Sequence, residues 1–599
     1  MAKSLTTQKF GLATFTILVG GKALPQTYSV KYIQTEASIN KISTAKIVLI
    51  DGGVATTTKF EAGDSTSFEP GKVIEIKAGY ESSEKSIFKG IVIKHGLQIR
   101  KGSRGGTPEL VIECKHKAIK LTGVRKNEVY SKKKDSEIIT KILSGGGVKK
   151  TVDATTYKNP ELIQYYTTDW DFMLLRADAN GLIVIPDSDK LSVIKPKLSG
   201  SPAIEIEYGS SLYELQVEID ASNQYAKSIA YSWDVAQQKL IKGTGSAPSS
   251  RLGGNWSASK IRKVVNDKPY IIATPINIPM SYLDTWAAAR LVKSTMAFFQ
   301  GKVSFQGYSA LKVGDMIKLK GLSKRFNGNM FVGGITHTIE DGKWITEVKI
   351  GHNEDWYHEM ADNYANPMAS GIISPIKGLT MAKVTKIDGD PDGNFRIQIK
   401  IPTLQKDSAP VWARMTTFYA SAQSGAFFIP DVGDEVIVGF LNEDPQAPII
   451  LGSVYNKKDK KSPLTPEKKN QFKAIVTKTK MKLTFDDKDK IITIETPGKN
   501  KITLDDKAGA VNIEDKNKNS IKMTSSGITI KSNKDIVLDG MNVKINAKTK
   551  IEGAGKAGVA FKGAKVEIKG DAQASIQGAM VEVKGSGMTT IKGGMVMIN

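Results

Sequence analysis

Apolar positions in this chain follow two rhythms. From about Lys480 to residue 599, a pair of apolar residues flanking one other residue recurs, every seven to ten positions up to Ile530 and every seven to sixteen beyond it. The pairs begin with Ile492-Thr-Ile494, Ile502-Thr-Leu504, Val511-Asn-Ile513, Ile521-Lys-Met523 and Ile528-Thr-Ile530. They continue with Val543-Lys-Ile545, Val559-Ala-Phe561, Val566-Glu-Ile568, Val581-Glu-Val583 and Val596-Met-Ile598, separated by Gly, Asn, Asp and Lys. A repeat of this kind predicts short strands stacked one after another. On the order of 15 steps at ~4.8 Å would make a fibre roughly 70 Å long, with its hydrogen bonds along the shaft. One ladder leaves its apolar pairs uncovered. Three chains wound about one axis would bury them, so the repeat predicts a homotrimer.

The earlier sequence has period-2 runs, which predict strands. They include 15–19, 46–50, 73–76, 87–93 and 110–114, punctuated by Gly52-Gly53, Pro70-Gly71 and Gly105-Gly106. Helical spacing enters at three places. Asp135 is positioned to cap a helix carrying Ile138, Ile139, Ile142 and Leu143, with Gly145-Gly146-Gly147 as its stop. Thr168-Asp-Trp-Asp171 predicts a capped start before Phe172 and a stop at Gly181. Ser281-x-x-Asp284 predicts a helix to about Gln300, with Leu283, Ala287 and Leu291 on one face. Six candidate strands then fall between Met381 and Tyr455, at 381–387, 395–401, 411–416, 426–429, 435–440 and 449–454. Their number and size suit a Greek-key barrel of the OB type. The stretch 456–470, NKKDKKSPLTPEKKN, reads as a charged linker.

Composition narrows the function classes. A chain of 599 residues is expected to hold several domains. The single cysteine, Cys114, excludes an intrachain disulfide and a Cys-based zinc site. Met1 to Phe10 is polar, so synthesis in the cytoplasm without a cleaved signal is expected, and no apolar run approaches the roughly 20 residues of a membrane span. The net charge of +24 is spread along the chain without interleaved aromatics. It reads as solvated strand surface, where lysines also discourage edge pairing, and no nucleic-acid partner is expected.

Candidate chemistry is sparse. His358-Glu359-Met-Ala-Asp362 departs from the zinc-protease pattern because Asp stands where the second His is required. His352 and His358 lack further ligands, as does Cys114-x-His116. Gly553-Ala-Gly555-Lys-Ala-Gly558 has the glycine spacing of a dinucleotide loop but lies between repeat strands. Asp169 and Asp171 are explained by helix-cap duty without an acid/base role. No catalytic residue, cofactor site or metal site is expected.

Three stretches carry a family resemblance: IQYYTTDWDFMLLRADANGLIVI (163–185), the segment from LKVGDMIKLKGL to ITEVKIG (311–351), and VWARMTTFYASAQSGAFFIPDVGDEVIVGFLNEDPQAPIILGSVYN (411–456). In this order, ahead of a β-repeat, they resemble VgrG-type spike proteins of contractile injection systems, a family similar to the hub and spike proteins of contractile phage tails. The pattern from Phe68 to Val92 also resembles the phage-type hub. The resemblance implies a mainly β fold with minor α. It places a hub of two phage-hub-like β-barrel subdomains with helical insertions at 1–370, the barrels falling in 1–130 and 200–350. An OB-fold collar follows at 371–456, a linker at 457–479, and a triple-stranded β-helix or prism needle of the homotrimer at 480–599.

The function implied is a structural spike that caps an inner tube, joins it to a baseplate and punctures a target envelope, without enzymatic activity. Expected partners are the inner tube protein, baseplate proteins, effector cargo and, transiently, a target membrane. All five histidines precede residue 360, so the repeat cannot bind iron through His-x-His motifs. The apolar end, Met595, Val596, Met597, Ile598 and Asn599, is therefore expected to contact a separate PAAR-type tip protein. The space between Tyr455 and Lys480 is too short for a fused enzyme, and a bare shaft is expected. The resemblance leaves open a type VI secretion machine or an extracellular phage-tail-like particle, with the spike ending outside the cell or in the target. Two other readings are a trimeric receptor-binding fibre or adhesin, which predicts a terminal binding head, and a β-helical carbohydrate-active enzyme. The latter predicts aromatics along the repeat, which has no Trp or Tyr.

Overall fold

The computed structural model describes residues 3–5, 11–52, 59–81, 83–99, 108–250, 252–265, 267–404 and 409–598. It divides into two units, Met1–Ser453 and Val454–Asn599.

In the first unit, period-2 sequences form long antiparallel ladders. Ala13–Val19 pairs with Val73–Tyr80, which pairs with Ser83–Ile99, then Pro108–Lys115, Thr44–Ile50 and Ser29–Ser38. Alternate residues of these strands, including Ile33, Ile47, Leu49, Ile74, Ile76, Leu110 and Ile112, fill one core. A second core gathers Ile204, Ile206, Phe299, Phe305, Ile317, Leu319, Phe331 and Val348. The two cores meet at a seam where Gly328–Glu340 pairs with Ser29–Ser38, setting Ile339 opposite Ile33. A register shift between Val332 and Gly334 on the other side of that strand lets it serve both ladders. Gly333 sits in the shift, where a Cβ would stand 1.8 Å from the Gly351 carbonyl oxygen, so only glycine fits.

The helical segments fall where their spacing predicts, but two are capped differently. The first helix is Asp135–Gly145, and Lys134, not Asp135, is its N-cap residue. Glu137 accepts a hydrogen bond from the Lys134 amide, at 2.9 Å. Asp135 is fully buried, and its carboxylate takes two bonds from the Arg176 guanidinium, at 2.8 and 3.0 Å, and one from Asn180. A buried carboxylate needs a cation and several donors, and this need overrides capping. The second helix, Asp169–Ala179, is capped as expected: Thr168 Oγ1 accepts from the Asp171 amide at 3.1 Å, and Gly181 takes a φ of 66° after its end. The third of the expected helices is Met280–Met296, with Leu283, Ala287 and Leu291 buried on one face. Ser281 does not cap it. Pro279 precedes it, and Asp284 instead accepts from the Thr244 amide at 2.6 Å, tying the helix to a neighbouring strand.

A closed barrel follows, with strands Thr380–Lys386, Ile397–Lys400, Val411–Met415, Pro448–Ser453 and Glu435–Phe440 in that order around it. Ala382, Val384, Ile397, Ile399, Ala413, Val436, Val438 and Ile450 fill its interior. Five of the six candidate strands form it. The stretch 426–429 is not a strand; a small hairpin of Ala420–Ser421 and Ser424–Gly425 stands in front of it. Phe427 and Phe428 are exposed, so the apolar run there has no core to enter.

The second unit opens with a seven-stranded antiparallel meander: Phe472–Val476, Lys482–Asp486, Ile491–Glu495, Lys501–Asp505, Ala510–Glu514, Ser520–Thr524 and Gly527–Lys531. Its first strand begins inside the stretch read as linker. The turns are held by aspartates. Asp486 Oδ1 accepts from the amides of Lys488 and Asp489, and Asp515 Oδ1 from those of Asn517 and Asn519. Beyond the meander, from 532 to 598, no strand is assigned among the described residues. The expected strands around Val543, Val566 and Val581 therefore have no ladder within their own chain.

Candidate assembly surface

The register of the meander sorts its side chains into two faces. Across successive strands, Ile475, Leu483, Ile494, Ile502, Ile513, Ile521 and Ile530 lie opposite one another in turn. A second column runs Phe485, Ile492, Leu504, Val511, Met523, Ile528. The residue between the two columns is Thr484, Thr493, Thr503, Asn512, Lys522 or Thr529 and points to the other face, because side chains alternate along a strand. The columns share one face, and that face is largely uncovered: Phe485, Ile492, Ile494, Ile502, Leu504, Ile513, Met523, Ile528 and Ile530 are all exposed. On the polar side, Lys482 lies 3.8 Å from Glu495 across one strand pair. A contiguous exposed apolar face of this kind marks an interaction surface.

The sequence pairs starting at Ile492 locate most of these columns. Leu483 and Phe485 form an earlier step that the pair reading passed over. The signal for it is a longer repeat: KLTFDDKDKIITIETPGKN (482–500) and KITLDDKAGAVNIEDKNKN (501–519) align as successive hairpins.

Met595, Val596, Met597 and Ile598 are exposed, and Asn599 lies outside the described residues. The exposure does not single them out. Met541, Phe561, Met580 and Met588 are equally open, and no strand is assigned beyond Lys531 among the described residues.

The other candidate residues are absorbed by the fold. Asp169 accepts from Lys126 Nζ at 2.5 Å and Gln164 Nε2 at 3.1 Å, while Asp171 accepts from the hydroxyls of Thr168 at 2.5 Å and Tyr357 at 2.6 Å. They have separate partners and do not act as a pair. Cys114 is buried within its strand, and burial pushes its thiol up to about 12. His116 lies beyond that strand's end, so the two side chains do not share a strand face; its Nδ1 accepts from the Ala118 amide at 3.1 Å. Glu359 closes a turn by accepting from the Trp356 amide at 2.7 Å. Among the described residues, no three or more His, Cys, Asp or Glu side chains gather as a metal site. Among the described residues no helix follows Gly558, so the dinucleotide-loop context is missing there.

Comparison with known proteins agrees with this surface. Residues 9–341 match the family model of the Alg8 N-terminal domain, 380–455 the injector OB domain of type VI secretion systems and phage baseplates, and 490–554 the phage baseplate V C-terminal trimerisation domain. Residues 527–588 also match a domain of unknown function. The trimerisation-domain match begins on the apolar meander and runs past its last strand. Two curated relatives are type VI secretion spike proteins: VgrG3 of Vibrio cholerae, 40% identical over 68 residues, and VgrG1a of Pseudomonas aeruginosa, 44% identical over 50 residues. The matched stretches cover 10% and 8% of this chain, and only 7% and 8% of the relatives' lengths. Among solved structures, a 43 kDa tail protein of prophage MuSo2 from Shewanella oneidensis aligns at 11% identity, over 57% of this chain and 98% of its own, with a TM-score of 0.43. The chain is mainly β, and in its OB barrel and trimerisation-domain stretches it is similar to proteins of type VI secretion systems and phage baseplates, VgrG spike proteins among them. The Alg8 N-terminal model spans more than half of the chain, which belongs to that family.

Proposed function

We propose that three copies of this chain form the central spike of a contractile injection system, with the meander and the stretch beyond it as the needle. The observation that carries this reading is the pair of apolar columns on one open face. Burying such a side chain contributes about 1.5–3 kcal/mol, and each copy offers more than a dozen of them. Two further copies can cover that face and supply backbone partners to 532–598, as a triple-stranded prism requires. The match to a trimerisation domain over 490–554 supports the same arrangement.

In this reading, the first unit docks on the inner tube and baseplate, the needle breaches the target envelope, and residues 595–599, with their apolar run Met595 to Ile598, seat a PAAR-type tip protein. Effector cargo travels with the spike. The machine is a type VI apparatus or a released particle, and delivery ends outside the producing cell.

The test is to image contractile particles from the producing cell, with and without this gene, by electron microscopy. The reading expects that deletion removes the spike density from the tube end or abolishes assembly. Particles with an intact spike in the deletion strain would contradict it.

A further inference from the structure

The OB barrel carries a knob and a groove that do not meet within one chain. The knob is the hairpin after Met415. Its strands Ala420–Ser421 and Ser424–Gly425 pair, the Ala426 amide donates to the Tyr419 carbonyl at 2.9 Å, and Thr417 Oγ1 donates to the Ala426 carbonyl at 3.0 Å. These bonds fix the stem, so its aromatics are held rather than floppy. Phe418 is 86% exposed and Phe427 82%, with Tyr419 and Phe428 also open. Aromatics held in this way on a rigid stem contact no core of their own, and large exposed apolar clusters mark interaction sites.

The groove lies on the same barrel, with Phe395, Trp412, Arg414, Leu441, Pro448 and Ile449 among its walls. Its rim is built. Asp390 accepts from the amides of Asp392, Asn394 and Arg396, and from the Arg396 guanidinium, which holds the loop that carries Phe395. The knob's four aromatics are not part of its walls.

We propose that the hairpin Phe418–Phe428 of one copy docks into this groove on the neighbouring copy, closing a ring of three barrels. The inference rests on the trimeric reading above and deepens it. A cyclic assembly needs two different complementary patches on each chain, knob and hole, and this barrel has both. Aromatic rings suit an apolar groove edged by the exposed guanidinium of Arg414, which can lie over a ring face. Residues 454–471 alone separate the barrel from the meander, so trimerised meanders would hold the barrels at an effective concentration on the order of millimolar.

The test uses cysteine pairs in the full chain, whose one native thiol is buried. Phe427→Cys with Gln446→Cys places thiols on knob and groove; Phe427→Cys with Asp388→Cys is the control off the groove. Each is oxidised mildly and run on a non-reducing denaturing gel, with the native mass measured beforehand by light scattering. The proposal expects the first pair to give mostly covalent species of two and three chains, at least tenfold more than the control. A trimer by light scattering in which the first pair stays single-chain on the gel, closes within one chain, or links no better than the control overturns the docking and leaves the trimer standing. A single-chain native mass overturns both.

Discussion

Ile494 and Ile502 stand directly opposite each other on neighbouring strands, and both remain open, at 49% and 40% exposure. A cross-strand pair of this kind ordinarily stabilises a sheet by facing a core. Here the sheet forms but the core is missing from the chain that forms it.

Charging this pair should break the assembly without unfolding the first unit. In Ile494→Lys/Ile502→Lys, burial worth about 1.5–3 kcal/mol per side chain is lost in every copy, and buried charge is added. Light scattering should show the mass falling towards one chain. Thr493→Lys/Thr503→Lys, on the opposite face, should leave the mass unchanged.

Lys293 and Asp178 form an ion pair of 2.6 Å at 4% and 8% side-chain exposure, and Asp178 also accepts from the Tyr357 amide at 2.9 Å. Removing one partner leaves a buried charge, so Lys293→Met should destabilise the first unit by about 3–5 kcal/mol. Lys293→Met/Asp178→Leu should recover much of that loss. Chemical denaturation of all three chains measures both.

Burial lowers His116 to about 4 and His337 to about 3, against an ordinary value of 6.5. The unfolded chain therefore binds protons that the folded chain refuses as pH falls below 6.5. Stability is full above that value and falls down towards pH 3–4. Between pH 7 and pH 5 each histidine should cost about 2 kcal/mol. Denaturation midpoints at the two pH values test this, and His337→Gln should flatten the dependence.

Much of this molecule was legible because its signals are local. The apolar pairs from Ile492 to Ile530 fix strand and register together, since a one-residue slip would reverse the faces. Thr168 and Gly181 mark a helix by chemistry within a few residues. The features that escaped depend on distant partners. Asp135 reads as a cap, yet Arg176 and Asn180 claim its carboxylate from another helix. Ser281 reads as a cap, yet Asp284 is drawn to Thr244. Phe427 and Phe428 read as a strand because apolar runs usually find a core, and this one faces outwards. Leu483 and Phe485 were hidden because their turn, Asp487–Lys490, shows its likeness only beside the later turn at Asp506–Gly509.

The apolar columns call for two more copies, and sedimentation of the full chain at micromolar concentration tests that most directly. The account predicts one species at three times the 65.0 kDa chain mass. A stable species of a single chain, with the columns still open, would contradict it.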